Sequence, residues 1–167
     1  MREKQSPLVT LVTLSLVSAL VLVATMFLKM PTATGYIHLG DGIIYSVSMA
    51  LGTLAGAVSG ALGSVWADIL GGYPAWAPWT CVIKGVAGYI AGKLGHEKPR
   101  SRQLVAMVVA SVWIIAGYAA GTAVMYSPKA VPAEILGNIV QTGSGVIVGS
   151  VLTPVFQSVL ANWQRKT

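Results

Sequence analysis

One cysteine and two histidines are the whole supply of thiolate and imidazole metal ligands in this 167-residue chain. Cys81 stands alone in an apolar stretch, so no disulfide can form within the chain and no thiolate metal site can be built. It fits its surroundings as a small buried apolar residue. The histidines, His38 and His96, fall on opposite sides of the topology derived below and cannot share a site. Charge is scarce too: 10% of residues are charged, against roughly 25% in soluble domains. HExxH, GxSxG and Cys/His clusters are absent, which removes the usual metallohydrolase and serine-hydrolase readings. The glycine-rich stretch through Gly52, Gly56, Gly60 and Gly63 has no Gly-Lys-Ser/Thr after it and no strand signal before it, so it is not a phosphate loop. The expectation is a non-enzyme with no catalytic residue, metal or cofactor. Nothing resembles an ATPase, so the energy for any transport must come from partner proteins.

What remains is apolar. Hydrophobic residues make up 54% of the chain, and a spanning helix needs about 20 of them in a row. The reading is a single all-α domain, a polytopic membrane protein with six transmembrane helices over about 7–28, 41–53, 55–71, 78–94, 104–125 and 133–161. Arg2 and Lys4 before the first run imitate a signal peptide. That run is too long for one, and no small-x-small cleavage site follows it. The stretch 42–70 is too long for one span and barely long enough for two; Gly52-Thr53 and Gly56 supply the turn. The glycines at 52, 56, 60 and 63 form one strip for close helix packing. Pro154 is expected to kink the last helix.

Charge sets the orientation. With six spans, both termini and the 93–103 linker share one side. That side holds Arg2, Lys4, Lys93, Lys98, Arg100, Arg102, Arg165 and Lys166, eight of the eleven basic residues. The positive-inside rule places it in the cytoplasm. The basic residues sit at segment ends rather than along a face, so nucleic acid is not an expected partner; the lipid bilayer is.

This topology gathers polar residues at the outer end: Tyr36, His38 and Asp41, then Asp68, Tyr73, Trp76, Trp79 and Lys84, then Glu134, Asn138 and Gln141. The last three follow i, i+4, i+7 and share a helical stripe. Polar groups in a bundle are paired or meet water or ligand. Their concentration at one end predicts a cavity for a small, flat, polar heterocycle, with the aromatic rings as platforms. Other readings stand beside this one. Asp41 suits a helix start, Asp68 and Lys84 could pair, Asn138 and Gln141 could join helices, and the tryptophans suit a bilayer interface. A non-transporting membrane scaffold is therefore the competing class.

The segments GYIHLGDGIIY and LGTLAGAVSGALGSVWADILGGYPAWAPWTCVIKG, over residues 35–85, resemble the substrate-binding S components of energy-coupling factor (ECF) vitamin transporters, in the riboflavin-transporter-like group. The resemblance implies a six-helix protein of the bacterial cell membrane that binds a vitamin near its outer face. It also implies docking on a transmembrane coupling subunit driven by two ATPase subunits. Relatives often carry an Ala-xxx-Ala step in the first helix for that docking; here the matching residues are Ser15 and Ala19. Their Leu-Gly-Pro turn appears as Leu51-Gly52-Thr53. Within the group, the expected substrate is a one-ring vitamin, a vitamin B6 form or a hydroxymethylpyrimidine, with riboflavin the alternative.

Overall fold

The computed structural model describes residues 6–27, 29–32 and 35–165. Arg2, Lys4 and Lys166, which contribute to the charge bias, lie outside the described residues, as does Leu28, the expected end of the first span. The described chain forms α1 (Pro7–Phe27), a hairpin of β1 (Lys29–Pro31) and β2 (Tyr36–His38), α2 (Gly40–Leu51), α3 (Thr53–Gly71), α4 (Ala77–Gly95), α5 (Arg100–Met125), a 3-10 turn at Pro128–Ala130 and α6 (Val131–Gln164).

Helix α2 is the axis. Every residue from Gly40 to Ala50 is buried, enclosed by α1, α3, α4 and α6. The outer helices follow one another as α1, α3, α4, α5 and α6, each packed on the next. Two apolar clusters hold α2 in place. Val17, Val21, Ile44 and Val47 join α1 to α2, and Tyr45, Met49, Ile83, Ala87, Met107 and Ile114 join α2 to α4 and α5. Outside, the polarity runs opposite to that of a soluble protein. Leu11, Leu16, Val105, Val112, Val140, Ile147 and Val151 are exposed, while Asp41, Lys84, Gln141 and several serines are buried. Such a surface suits hydrocarbon, and the interior satisfies the polar groups that hydrocarbon cannot. Four helices, α1, α3, α5 and α6, are long and apolar enough to cross a membrane. Helix α2 has 12 residues, or about 18 Å, and α4 carries Lys84 and Lys93.

Glycine shapes the fold at two places. At Gly52, with φ of +89°, α2 gives way to α3; a side chain there would be strained. Further along, a Cβ on Gly60 would stand 2.5 Å from the Lys84 carbonyl, so only glycine lets α4 approach α3 closely enough to bring Lys84 inward. The glycine strip does not face one helix throughout: Gly56 and Gly60 face α4, whereas Gly63 meets α1 at Ser18 and Val21.

Several details differ from the sequence reading. The segment expected to be an irregular polar loop contains an antiparallel hairpin, with Lys29 opposite His38 and Pro31 opposite Tyr36. It is a small exception to the all-helical architecture. Helix α5 begins at Arg100 instead of near 104, because the polar residues 100–103 extend the helix beyond its apolar run. Helix α6 continues through Pro154 to Gln164.

Candidate ligand site

The hairpin lies over one end of the bundle, together with the α3–α4 and α5–α6 connections. Beneath it, α3, α4, α5 and α6 converge on a cavity of about 30 Å³. That space suits one or two waters.

The floor is built on a buried ion pair. Lys84 Nζ donates to Asp41 Oδ1 at 2.6 Å, and both side chains are fully buried. Gln141 Nε2 donates to the other Asp41 oxygen at 2.9 Å, while Gln141 Oε1 accepts from the His38 backbone N–H at 3.3 Å. One glutamine thus links the ion pair, α6 and the hairpin. A charge pair this deep is tolerable only because both carboxylate oxygens are engaged. Lys84 Nζ also lies 5.2 Å from the centre of the Tyr118 ring, a cation–π contact.

His38 caps the neighbouring helix. Its Nδ1 accepts from the Gly40 N–H at 3.0 Å, so the ring proton belongs on Nε2. Burial, reinforced by the positive charge of Lys84, pushes its pKa down to about 3 against the opposing pull of Asp41. His38 is therefore neutral at physiological pH.

The wall on the α3 side carries Asp68. Tyr36 donates its hydroxyl to Asp68 Oδ1 at 2.7 Å. Burial and the nearby Asp68 carboxylate raise the Tyr36 pKa, so the phenol keeps its proton. Asp68 Oδ2 is buried and has no hydrogen-bond partner among the described residues. The Thr80 hydroxyl, also at the cavity, pairs with that of Tyr118 at 3.1 Å. On the α6 side, Asn138 Nδ2 donates to Glu134 Oε1 at 2.7 Å and to the Glu134 carbonyl at 3.0 Å. Trp76 closes one side, its ring edge-on to Tyr118 and stacked on Tyr126.

Of the residues singled out in the sequence, Tyr36, His38, Asp68, Trp76, Glu134, Asn138 and Gln141 line this cavity. Asp41 and Lys84 do not reach its surface; they support Gln141 from below. The possible partnership of Lys84 with Asp68 gives way to one with Asp41. Tyr73 stands behind the wall, its ring 5.0 Å from that of Tyr36. Trp79 turns away and packs against α5 near Gly121. Gly35, Ser64, Thr80 and Tyr118 also line the cavity and were missed. For Tyr118 the signal was a lone phenol in an apolar helix; Ser64 and Thr80 carry no signal, because small hydroxyls are common inside membrane helices. Ser15 and Ala19 lie far from the cavity, exposed on the outer face of α1.

A second space of about 160 Å³ lies on the other side of β2. It shares Tyr36, Glu134, Asn138 and Gln141 with the first. The hairpin therefore separates two volumes that share part of their lining.

Comparison with known proteins bears on what these volumes hold. The sequence model of a family described as ECF-type riboflavin transporter, S component, matches residues 6–158. A protein from Pyrococcus woesei, described as an uncharacterized protein in the gap 3′ region, is 37% identical over 132 residues, covering 77% of this chain and 88% of the relative.

Proposed function

The chain belongs to the ECF-type riboflavin transporter S component family, and from that premise we propose that it captures a small water-soluble vitamin in the cavity beneath the hairpin. Membership supports a vitamin-transporter component that is not an enzyme, and four helices apolar enough to span support a multi-pass membrane protein. In this reading the vitamin passes to an ECF module, a transmembrane coupling subunit with two ATPase subunits, and the protein sits in a bacterial cell membrane. Six spans with cytoplasmic termini would place the cavity at the outer face.

One observation carries the site: Asp68 Oδ2, buried at the cavity and making no hydrogen bond among the described residues, with the nearby Thr80 hydroxyl paired to Tyr118 instead. A buried acceptor left unpaired costs about 1–3 kcal/mol, and a ligand N–H or O–H removes that cost. Tyr36 orients the carboxylate through its other oxygen. Glu134 and Asn138 offer further polar groups, and Trp76 and Tyr118 supply ring faces. The favoured substrate is a one-ring vitamin rich in donors, a vitamin B6 form or a hydroxymethylpyrimidine. Riboflavin is the second reading, favoured by the family's own description. Either ligand exceeds about 30 Å³, since pockets for such molecules run to about 300–1,000 Å³. The hairpin must therefore lift or shift to join the two volumes it separates.

The test is calorimetric titration of the purified protein with a panel of B vitamins, repeated on Asn138→Ala and on Ser158→Ala, which is exposed near the far end of the same helix. The best ligand should lose at least about tenfold in affinity with Asn138→Ala and little with Ser158→Ala. Equal binding by the two variants would put the site elsewhere. Failure of every vitamin to bind would favour the scaffold reading.

A further inference from the structure

A second polar cavity lies at the opposite end of the bundle. It measures about 220 Å³ and opens between the start of α5 and the last third of α6. Lys98, Arg100, Gln103 and Gln157 supply its polar lining, and Leu104 and Pro154 its apolar floor. It shares no residue with the cavity beneath the hairpin.

Three features select an anion. Lys98 and Arg100 are exposed and form no ion pair among the described residues. They bring two positive charges to one mouth. Helix α5 begins here with Pro99 as its first flanking residue and no side-chain cap, so its first-turn N–H groups remain available to an acceptor. Gln103 is only 8% exposed, and its amide, which makes no hydrogen bond among the described residues, opens onto the cavity. An unpartnered amide opening into a basic cleft is available to a ligand that brings acceptors.

The surroundings choose among anions. Along the same helical faces, exposed Val108 stands one turn from Leu104 and exposed Ile147 two turns from Pro154, on the surface that faces hydrocarbon. A free phosphate would use the mouth and leave that apolar margin idle. A phospholipid uses both, with its phosphate among the basic groups and its chains along Leu104, Val108 and Ile147. Basic pockets between membrane helices are suited to such headgroups.

We infer that this cavity binds the phosphate of an anionic phospholipid, held by Lys98, Arg100, Gln103 and the α5 N-terminus. The site is independent of the vitamin reading; the lipid would be a fixed partner at the end where the α4–α5 connection lies.

Native mass spectrometry tests it. The full-length protein in detergent is exposed to an equimolar mixture of phosphatidylglycerol and phosphatidylcholine, and retained lipid is counted. Phosphatidylglycerol should be retained in preference, and Lys98→Gln combined with Arg100→Gln should lower its retention about tenfold or more. Gln103→Leu should also lower it, with the melting temperature used to confirm folding. Lys93→Gln, a charge at the same end but outside the cavity, should have little effect. Equal retention of the two lipids, or equal loss with Lys93→Gln, would overturn the site. In a parallel titration with inorganic phosphate alone, binding that depends on Lys98 and Arg100 without retention of phosphatidylglycerol would overturn the lipid as the source.

Discussion

Asp68 concentrates the chemistry of the proposed site in one side chain. One oxygen is committed to Tyr36 and the other is unpaired. Asp68→Asn keeps the shape but can turn a donor toward a ligand donor, so vitamin affinity should fall about tenfold to a hundredfold. Tyr36→Phe, which removes only the orienting hydroxyl, should have the smaller effect. Calorimetry that ranks them the other way would mean that the phenol, not the carboxylate, meets the ligand. His38 makes a pH prediction. Its pKa is about 3 in the folded protein and 6.5 in its absence. Above pH 6.5 both states are neutral and the contribution to stability is complete. As pH falls toward 3 the unfolded chain takes up a proton that the folded one refuses, and stability declines by about 1.4 kcal/mol per pH unit. Melting in detergent should therefore weaken from pH 6.5 to pH 5, less steeply in His38→Gln; parallel slopes would reject the role of His38. These assignments were partly legible. The stripe of Glu134, Asn138 and Gln141 follows from helical period alone. The choice of Asp41 over Asp68 as the partner of Lys84 does not, because it depends on Gly60 drawing α4 toward α3.

At the scale of elements, the proposed site depends on the hairpin. The hairpin was invisible in the sequence because each strand has only three residues, too few for an alternation to stand out, and β1 ends in a proline. Its strands are held by side-chain contacts rather than by a larger sheet: Gln141 on the His38 backbone, His38 on the Gly40 N–H, Tyr36 on Asp68 and Tyr73, and Ile37 against α6 near Gly137. Strands anchored in this way can open without unfolding the helices. Cysteines at Ile37 and Gly137, joined by a short reducible bifunctional thiol reagent in a Cys81→Ser background, should hold the hairpin closed. Vitamin binding should be lost on cross-linking and return on reduction. Unchanged affinity in the cross-linked protein would mean that the ligand enters without moving the hairpin. The helices themselves were easier to read. Apolar length marks α1, α5 and α6, and the glycines mark the break at Gly52, where φ is positive. The start of α5 was not legible, since Arg100–Gln103 is polar and belongs to the helix all the same.

The whole molecule is a ring of five helices around α2 that is left open between α1 and α6. The gap at the chain-end side is an apolar groove of about 710 Å³, floored by Ala50 and Leu51. Helix α1 therefore presents most of one face to its surroundings, and Ser15 and Ala19 are exposed on it. Small residues four apart allow another helix to approach closely. The site and this face lie on different parts of the molecule, so capture and delivery should separate under mutation. Ala19→Leu adds bulk where nothing in the isolated protein is in the way, and it touches no residue that lines the cavity. It should leave vitamin affinity and melting temperature unchanged while abolishing uptake in cells that also make the coupling subunit and its ATPases. Ser15→Leu should act in the same direction. Exposed Val112 on α5 provides the comparison: Val112→Leu adds a methylene to an apolar surface on the far side of the ring and should leave uptake intact. Were Ala19→Leu to lower binding and uptake equally, α1 would be part of the capture machinery. Were it to alter neither, the coupling subunit would have to meet another face.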